Sequence, residues 1–279
     1  MDNAGRSEAG RQARHSVLTG RDIRRFHTDG YLSIKGLVPA QDVQRARAIA
    51  AALVEQRVGS ERGDYLDLVG DDRAEAARVP QILMPARYAP ELANSPLRAA
   101  AERIAQDLLA GPVMYEGEHI IAKPSPPGDE VPLHQDEAFW GENTEYDSIS
   151  IWFPLQDTDE RNGCLRFVPG SHRGEVVPHR SIGGDRSNNG LEIVAPEQAR
   201  TVSAPLGCGD ATVHHCRTIH GSGPNHSGDV RYAYIFGFGR PARVRAQPRQ
   251  FAWLHGRTLA RETRVLEAGH ELTRMRPEL

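Results

Sequence analysis

The sequence predicts a mainly β fold, a jelly roll or sandwich with helices packed outside it, and three observations carry that prediction. Apolar periodicity is helical up to about residue 111 and switches to two between about 113 and 240. The strand candidates in the second stretch are short and punctuated by Gly, Pro and Asn turn signals. Strands and helices also occur in separate runs, whereas a parallel sheet needs them to alternate. At 279 residues the chain suits one large β domain or two ordinary ones. The expected boundaries are a disordered tail over 1–17 and a single domain over 18–279. That domain divides into a helical lead-in (18–111), a β core (113–240) and a flanking C-terminal segment (241–279).

Thr19 can cap a helix over about 20–28 that Gly30 ends, and Tyr31 to Ile34 reads as a short strand. Over about 40–57, Val43, Ala46, Ile49, Ala50, Leu53 and Val54 recur at intervals that make one buried stripe. Ser95 and Pro96 open a third helix whose face is Leu97, Ala100, Ile104 and Leu108, with Gly111 and Pro112 as stops. In the β core, Ile149, Ile151, Phe153 and Leu155 alternate with Ser148, Ser150 and Trp152. Asn162-Gly163 is a hairpin signal between that strand and Leu165–Val168, and Pro169-Gly170 turns the chain again. In the last strand candidate, Arg231, Ala233, Ile235 and Gly237 oppose Tyr232, Tyr234, Phe236 and Phe238. The arginine-rich remainder reads as more helical.

Composition narrows the function. Lys+Arg number 34 against Asp+Glu 37, a net charge of −3, so nothing global attracts nucleic acid or an anionic membrane. No apolar run approaches the ~18 residues of a membrane span, and Met1 to Ser16 is polar where a signal peptide would be apolar. The expectation is a cytoplasmic protein acting on a small molecule, with no reading of its oligomeric state. Cys164, Cys208 and Cys216 are odd in number and lack metal-knuckle spacing, so they read as small core residues. Lysine occurs only at 35 and 123.

In Leu133-His134-Gln135-Asp136, the His and Asp are two apart in an extended segment and leave the same face. A third ligand can come from His220, at a strand end before Gly221-Ser222-Gly223. Two histidines and a carboxylate leave three metal positions open, as non-heme Fe(II) oxygenases require. His-x-Asp alone is common on solvated strands. Arg231 lies on the small, inward face of its strand and needs an anionic partner, either a bound dicarboxylate or a protein Asp or Glu.

These motifs, in their order, resemble the phytanoyl-CoA dioxygenase family of Fe(II)/2-oxoglutarate oxygenases. The resemblance runs from Phe26-His27-Thr28-Asp29-Gly30-Tyr31 through Ala122-Lys123-Pro124, Leu133-His134-Gln135-Asp136, Trp152 and Asn162-Gly163-Cys164-Leu165. It continues through Pro169-Gly170-Ser171-His172 and Gly209-Asp210 to His220-Gly221-Ser222-Gly223-Pro224-Asn225 and Arg231. It implies a double-stranded β-helix core of jelly-roll, cupin-like type with flanking N- and C-terminal helices. It implies iron on His134, Asp136 and His220, with 2-oxoglutarate and dioxygen as cosubstrates. Arg231 and Ser222 would hold the distal carboxylate of 2-oxoglutarate, with Gln135, Trp152 and His119 lining the cosubstrate. The implied outcome is hydroxylation of an unactivated carbon; Asp136 argues against the related halogenases, which replace that carboxylate with a small residue. A jelly-roll binding protein without catalysis, or a cupin-type metal hydrolase or isomerase, stays open on the residues alone. His214 and His215 lie near the ligands with no assigned role. The long, glycine- and asparagine-rich connection from about Val177 to Leu191 is expected to be a mobile lid.

Overall fold

Thr19 caps the first helix from both sides: its hydroxyl accepts from the Asp22 amide while the Asp22 carboxylate accepts from the Thr19 amide. The structure is a computed structural model that describes residues 16–70, 74, 76–125 and 128–270. The expected tail lies outside the described residues except for its last two positions, as does the end of the C-terminal segment. Helix α1 (Gly20–Asp29) stops at Gly30, whose φ of 79° is left-handed. A side chain there would run into His172 and Thr218, so glycine is required twice over.

After α1 come β1 (Tyr31–Ile34), α2 (Ala40–Glu55), β2 (Tyr65–Asp67), β3 (Pro80–Leu83) and α3 (Pro96–Leu108). The core strands follow as β4 (Met114–Lys123), β5 (Val131–His134), β6 (Thr144–Glu145), β7 (Ser148–Pro154), β8 (Leu165–Phe167), β9 (His179–Ser181) and β10 (Leu191–Ile193). The chain ends through β11 (Val202–Ala204), β12 (Ala211–His215), β13 (His220–Ser222), β14 (Arg231–Gly239), β15 (Arg243–Val244) and α4 (Ala260–Glu267). Seven strands form one antiparallel sheet in the order β1-β12-β7-β14-β4-β3-β2, and a smaller sheet runs β11-β8-β13-β5. This is the double-stranded β-helix.

The larger sheet is covered on both faces. Outward, Ile149, Ile151, Phe153, Tyr234, Phe236 and Phe238 pack with Val43, Ala50, Leu53, Leu97, Ala100 and Ile104 of α2 and α3 in the main core. Inward, Trp152, Ala233 and Ile235 meet Leu165, Phe167 and Ala204 of the small sheet, and Tyr31 stacks on Phe167 at 4.4 Å between ring centres. Ser95 caps α3 through the Arg98 amide and Pro96 occupies its first turn, as read from the sequence.

Two expectations are corrected. Asn162-Gly163 makes a turn, with Gly163 at φ 79°, but not a hairpin: β7 belongs to the large sheet and β8 to the small one, so the turn carries the chain across the barrel. The expected free lid is instead a hairpin, β9 on β10 with Ser181 opposite Leu191, whose loop is fastened down. Asn189 donates to Asp67 O, Asn188 to Val69 O and Arg257 to Asn188 O, while the Ala260 amide donates to Ser187 O.

Ile104 has no exposed surface and sits between α3 and the sheet. Replacing it with alanine should cost about 2–5 kcal/mol of stability, measured by urea unfolding, while metal binding by the folded fraction stays unchanged.

Candidate metal centre and cosubstrate pocket

Strand alternation decides which side chains reach the barrel interior. His134 ends β5 and Asp136 opens the short 3-10 turn Asp136–Phe139, so the two share a side and Gln135 points the other way. His220 opens β13 directly opposite His134 in the strand register. Gly221 lets the strands come this close, since a Cβ on it would lie 2.7 Å from Val131 O. The donor atoms of His134, Asp136 and His220 all lie within 4.8 Å of one another.

Each imidazole is oriented from behind. His134 Nδ1 lies 2.9 Å from Pro132 O and His220 Nδ1 2.9 Å from Thr218 O, which turns both Nε2 atoms toward Asp136 Oδ1, at 3.8 and 3.6 Å. The other carboxylate oxygen accepts from the Ser150 hydroxyl at 2.7 Å and lies 3.3 Å from His214 Nε2. Asp136 therefore divides its work, one oxygen toward the histidines and one anchored to β7 and β12. Burial pushes His134 and His220 below the usual imidazole range, favouring the neutral form that offers a lone pair. Burial alone would raise the Asp136 carboxyl, but His220, His214 and His134 outweigh it and hold the group well below the usual range. A divalent cation among these donors would replace the proton they otherwise share, and two nitrogens with one carboxylate oxygen suit Fe(II).

On the inner side of the large sheet, Arg231 is 2% exposed and lies over the Trp152 ring at 5.5 Å. Among the described residues no carboxylate pairs with it, and its Nε has no hydrogen-bond partner. Burial lowers it to about 10. Ser222 is buried on β13. His119 lies between Leu83 and Ile235 in register on the large sheet, close enough to feel Asp136 and His214, and burial pushes it down to about 4.

Trp152, Ser222, Arg231 and His119 each connect to the cluster: Ser222 is two residues past His220 on β13, His119 senses Asp136, and Trp152, under Arg231, packs with Phe167, whose ring lies 6.1 Å from His220. Gln135 does not: its amide accepts from Val177 N and donates to Arg217 O, and its backbone amide donates to His179 Nε2. It faces away because its neighbours face in, and it holds the base of the β9–β10 hairpin. Sequence reasoning missed Ser150 as a partner of Asp136, although it shares the Trp152 face by simple alternation. It also left His214 unassigned, and His214 is the register partner of Ser150 on the adjacent strand.

A double-stranded β-helix that carries a His-Asp-His donor cluster and a buried arginine with no acidic partner among the described residues is the arrangement of Fe(II)- and 2-oxoglutarate-dependent oxygenases. The family model for phytanoyl-CoA dioxygenase matches residues 26–233, and the chain belongs to that family. Mouse peroxisomal phytanoyl-CoA dioxygenase is 27% identical over 235 residues, 81% of this chain and 69% of that protein. A probable alpha-ketoglutarate-dependent hypophosphite dioxygenase of Stutzerimonas stutzeri is 36% identical over 119 residues, which is 40% of this chain and 41% of that one, less than half of either. Among solved structures, EvdO2 from Micromonospora carbonacea var. aurantiaca, in complex with 2-oxoglutarate, superposes with a TM-score of 0.72 at 29% identity, covering 85% of this chain and 96% of that one. The carbocyclase SnoK from nogalamycin biosynthesis shares the fold, with a TM-score of 0.64 at 23% identity over 82% and 87% of the two chains.

Gln135→Ala should leave 2-oxoglutarate affinity unchanged while lowering stability by about 1–3 kcal/mol, because it strands a buried amide and a carbonyl. Calorimetric titration and thermal unfolding of the same variant separate the two readings.

Proposed function

We propose that this chain binds Fe(II) through His134, Asp136 and His220 and 2-oxoglutarate against Arg231 and Ser222, and that it hydroxylates an unactivated carbon of a small-molecule substrate. Bound there, the metal supplies the chemistry with dioxygen by which 2-oxoglutarate is decarboxylated to succinate and carbon dioxide while one oxygen atom enters a C–H bond. The observation that carries the reading is Arg231: a buried guanidinium with no acidic partner among the described residues, lying over Trp152 on the inner side of the large sheet. A cupin-type hydrolase or isomerase has no need of it, and a binding protein has no need of the donors.

The residues divide the task. His134 and His220 present Nε2 because the Pro132 and Thr218 carbonyls hold the other ring nitrogen. Ser150 fixes the far oxygen of Asp136 and so favours single-oxygen ligation. Arg231 offers its fork to the distal carboxylate, Trp152 walls the pocket, and the apolar inner cluster around Phe167 and Ile235 keeps water from it. A cytoplasmic setting fits three cysteines that are all free thiols. No helix among the described residues is long and apolar enough to cross a membrane.

The test is anaerobic titration with Fe(II) and 2-oxoglutarate, then oxygen uptake and succinate release. Asp136→Ala should abolish both turnover readouts with the fold intact; normal turnover in that variant would overturn the metal assignment. Arg231→Ala should weaken 2-oxoglutarate binding by on the order of a hundredfold and leave iron binding unchanged. Ser150→Ala and His214→Phe should each weaken Fe(II) binding by about 10–100-fold without a matching fall in melting temperature.

A further inference from the structure

Lys123 is one of two lysines in the sequence and has no exposed surface. It ends β4 directly opposite Arg231 in register, so two buried cations sit side by side on neighbouring strands of the large sheet. Among the described residues, no carboxylate lies within ion-pair distance of either. The Lys123 ammonium instead crosses the barrel to β13, donating to Ser222 Oγ at 2.7 Å, Gly223 O at 2.5 Å and Ser222 O at 3.3 Å. Three acceptors match the three donors of an ammonium group.

That contact constrains Ser222. With Lys123 donating into a lone pair of Oγ, the Ser222 proton has to be directed elsewhere. Among the described residues no hydrogen bond is donated by the Ser222 hydroxyl, so its proton is left for a ligand in the chamber. Gly163, at φ 79°, packs behind this tie: a Cβ on it would lie 2.6 Å from Gly223 O and 3.4 Å from Lys123 Cδ. Burial, then the nearby Arg231 charge, lowers Lys123 from its usual range, so its ammonium form is costly until an anion arrives. An arriving carboxylate would relieve that cost, since it brings the negative charge that two buried cations lack.

We propose that Lys123 is a positioning residue for the cosubstrate, holding the Ser222 hydroxyl as a donor and completing a two-cation recess that selects a 2-oxo acid with a second, distal carboxylate. The inference rests on the cosubstrate reading above, so its test must separate the two. Lys123→Met, Ser222→Ala, the double variant and Arg231→Ala are titrated, as Fe(II)-loaded protein without oxygen, with 2-oxoglutarate and with 2-oxopentanoate, which has the same chain length but no distal carboxylate.

Lys123→Met should weaken 2-oxoglutarate binding on the order of tenfold or more and leave 2-oxopentanoate binding and Fe(II) binding where they were. The double variant should be no weaker than the worse single one, because Lys123 acts through Ser222. Equal losses for both 2-oxo acids, or additive losses in the double variant, would make Lys123 a structural tie and overturn the proposal. Unchanged 2-oxoglutarate affinity in Lys123→Met with a large loss in Arg231→Ala would overturn it as well. Unchanged affinity in Arg231→Ala would instead overturn the cosubstrate reading itself. If Lys123→Met does not fold, Lys123→Gln, which keeps a donor for the carbonyls but not the charge, carries the same comparison.

Discussion

The large sheet is buried on both faces, and that constraint organises everything else. A strand with one wet face can spend its polar residues on solvent; here the alternate positions of β7 and β14 must satisfy a helix-packed apolar layer on one side and a chamber on the other. Phe153, Phe236 and Phe238 go to the first. Ser150, Trp152 and Arg231 go to the second, where each polar group needs a specific partner because water is excluded. The chemistry follows from that division, since Ser150 has found its partner in Asp136 while Arg231 has none among the described residues.

Two kinds of electrostatic environment result, a short distance apart. At the mouth, one carboxylate is shared among His134, His220, His214 and Ser150, a negative centre surrounded by donors. On the inner side of the large sheet, Lys123 and Arg231 make a positive recess whose other contacts are neutral. A dicarboxylate with a metal-binding head has opposite charge complements at these two places.

Much of this is legible in the sequence because the signals are local. Thr19, Gly30, Ser95 and Pro96 mark helix ends through the backbone geometry of a few residues, and alternation alone puts Ser150 with Trp152 and Arg231 with Ala233. The His-x-Asp spacing puts both side chains on one face by the same rule. The misreadings all involve contacts between distant parts of the chain. Asn162-Gly163 is a turn in either reading, and only strand pairing tells a hairpin from a crossing. Gln135 sits inside the most informative tripeptide, yet its partners Val177 and Arg217 lie far along the chain. The glycines and asparagines of residues 182–190 suggest freedom, whereas Asn188 and Asn189 are the hooks that fasten the loop to β2 and the residue chain beyond it.

The pairing of His134 with His220 bears on how the protein is made. The two residues form one rung of the small sheet, but β7, β8, β11 and β12 all lie between them in sequence, and the strands they sit on are only four and three residues long. Such short strands gain little from pairing until their neighbours are in place, and closing so long a loop is entropically slow. That entropic cost places the rung among the last contacts expected to form during folding. A chain that has built its helices and its large sheet but not yet zipped β13 onto β5 therefore carries every residue of the centre and none of its geometry, so assembly of the site and completion of the fold are one kinetic event.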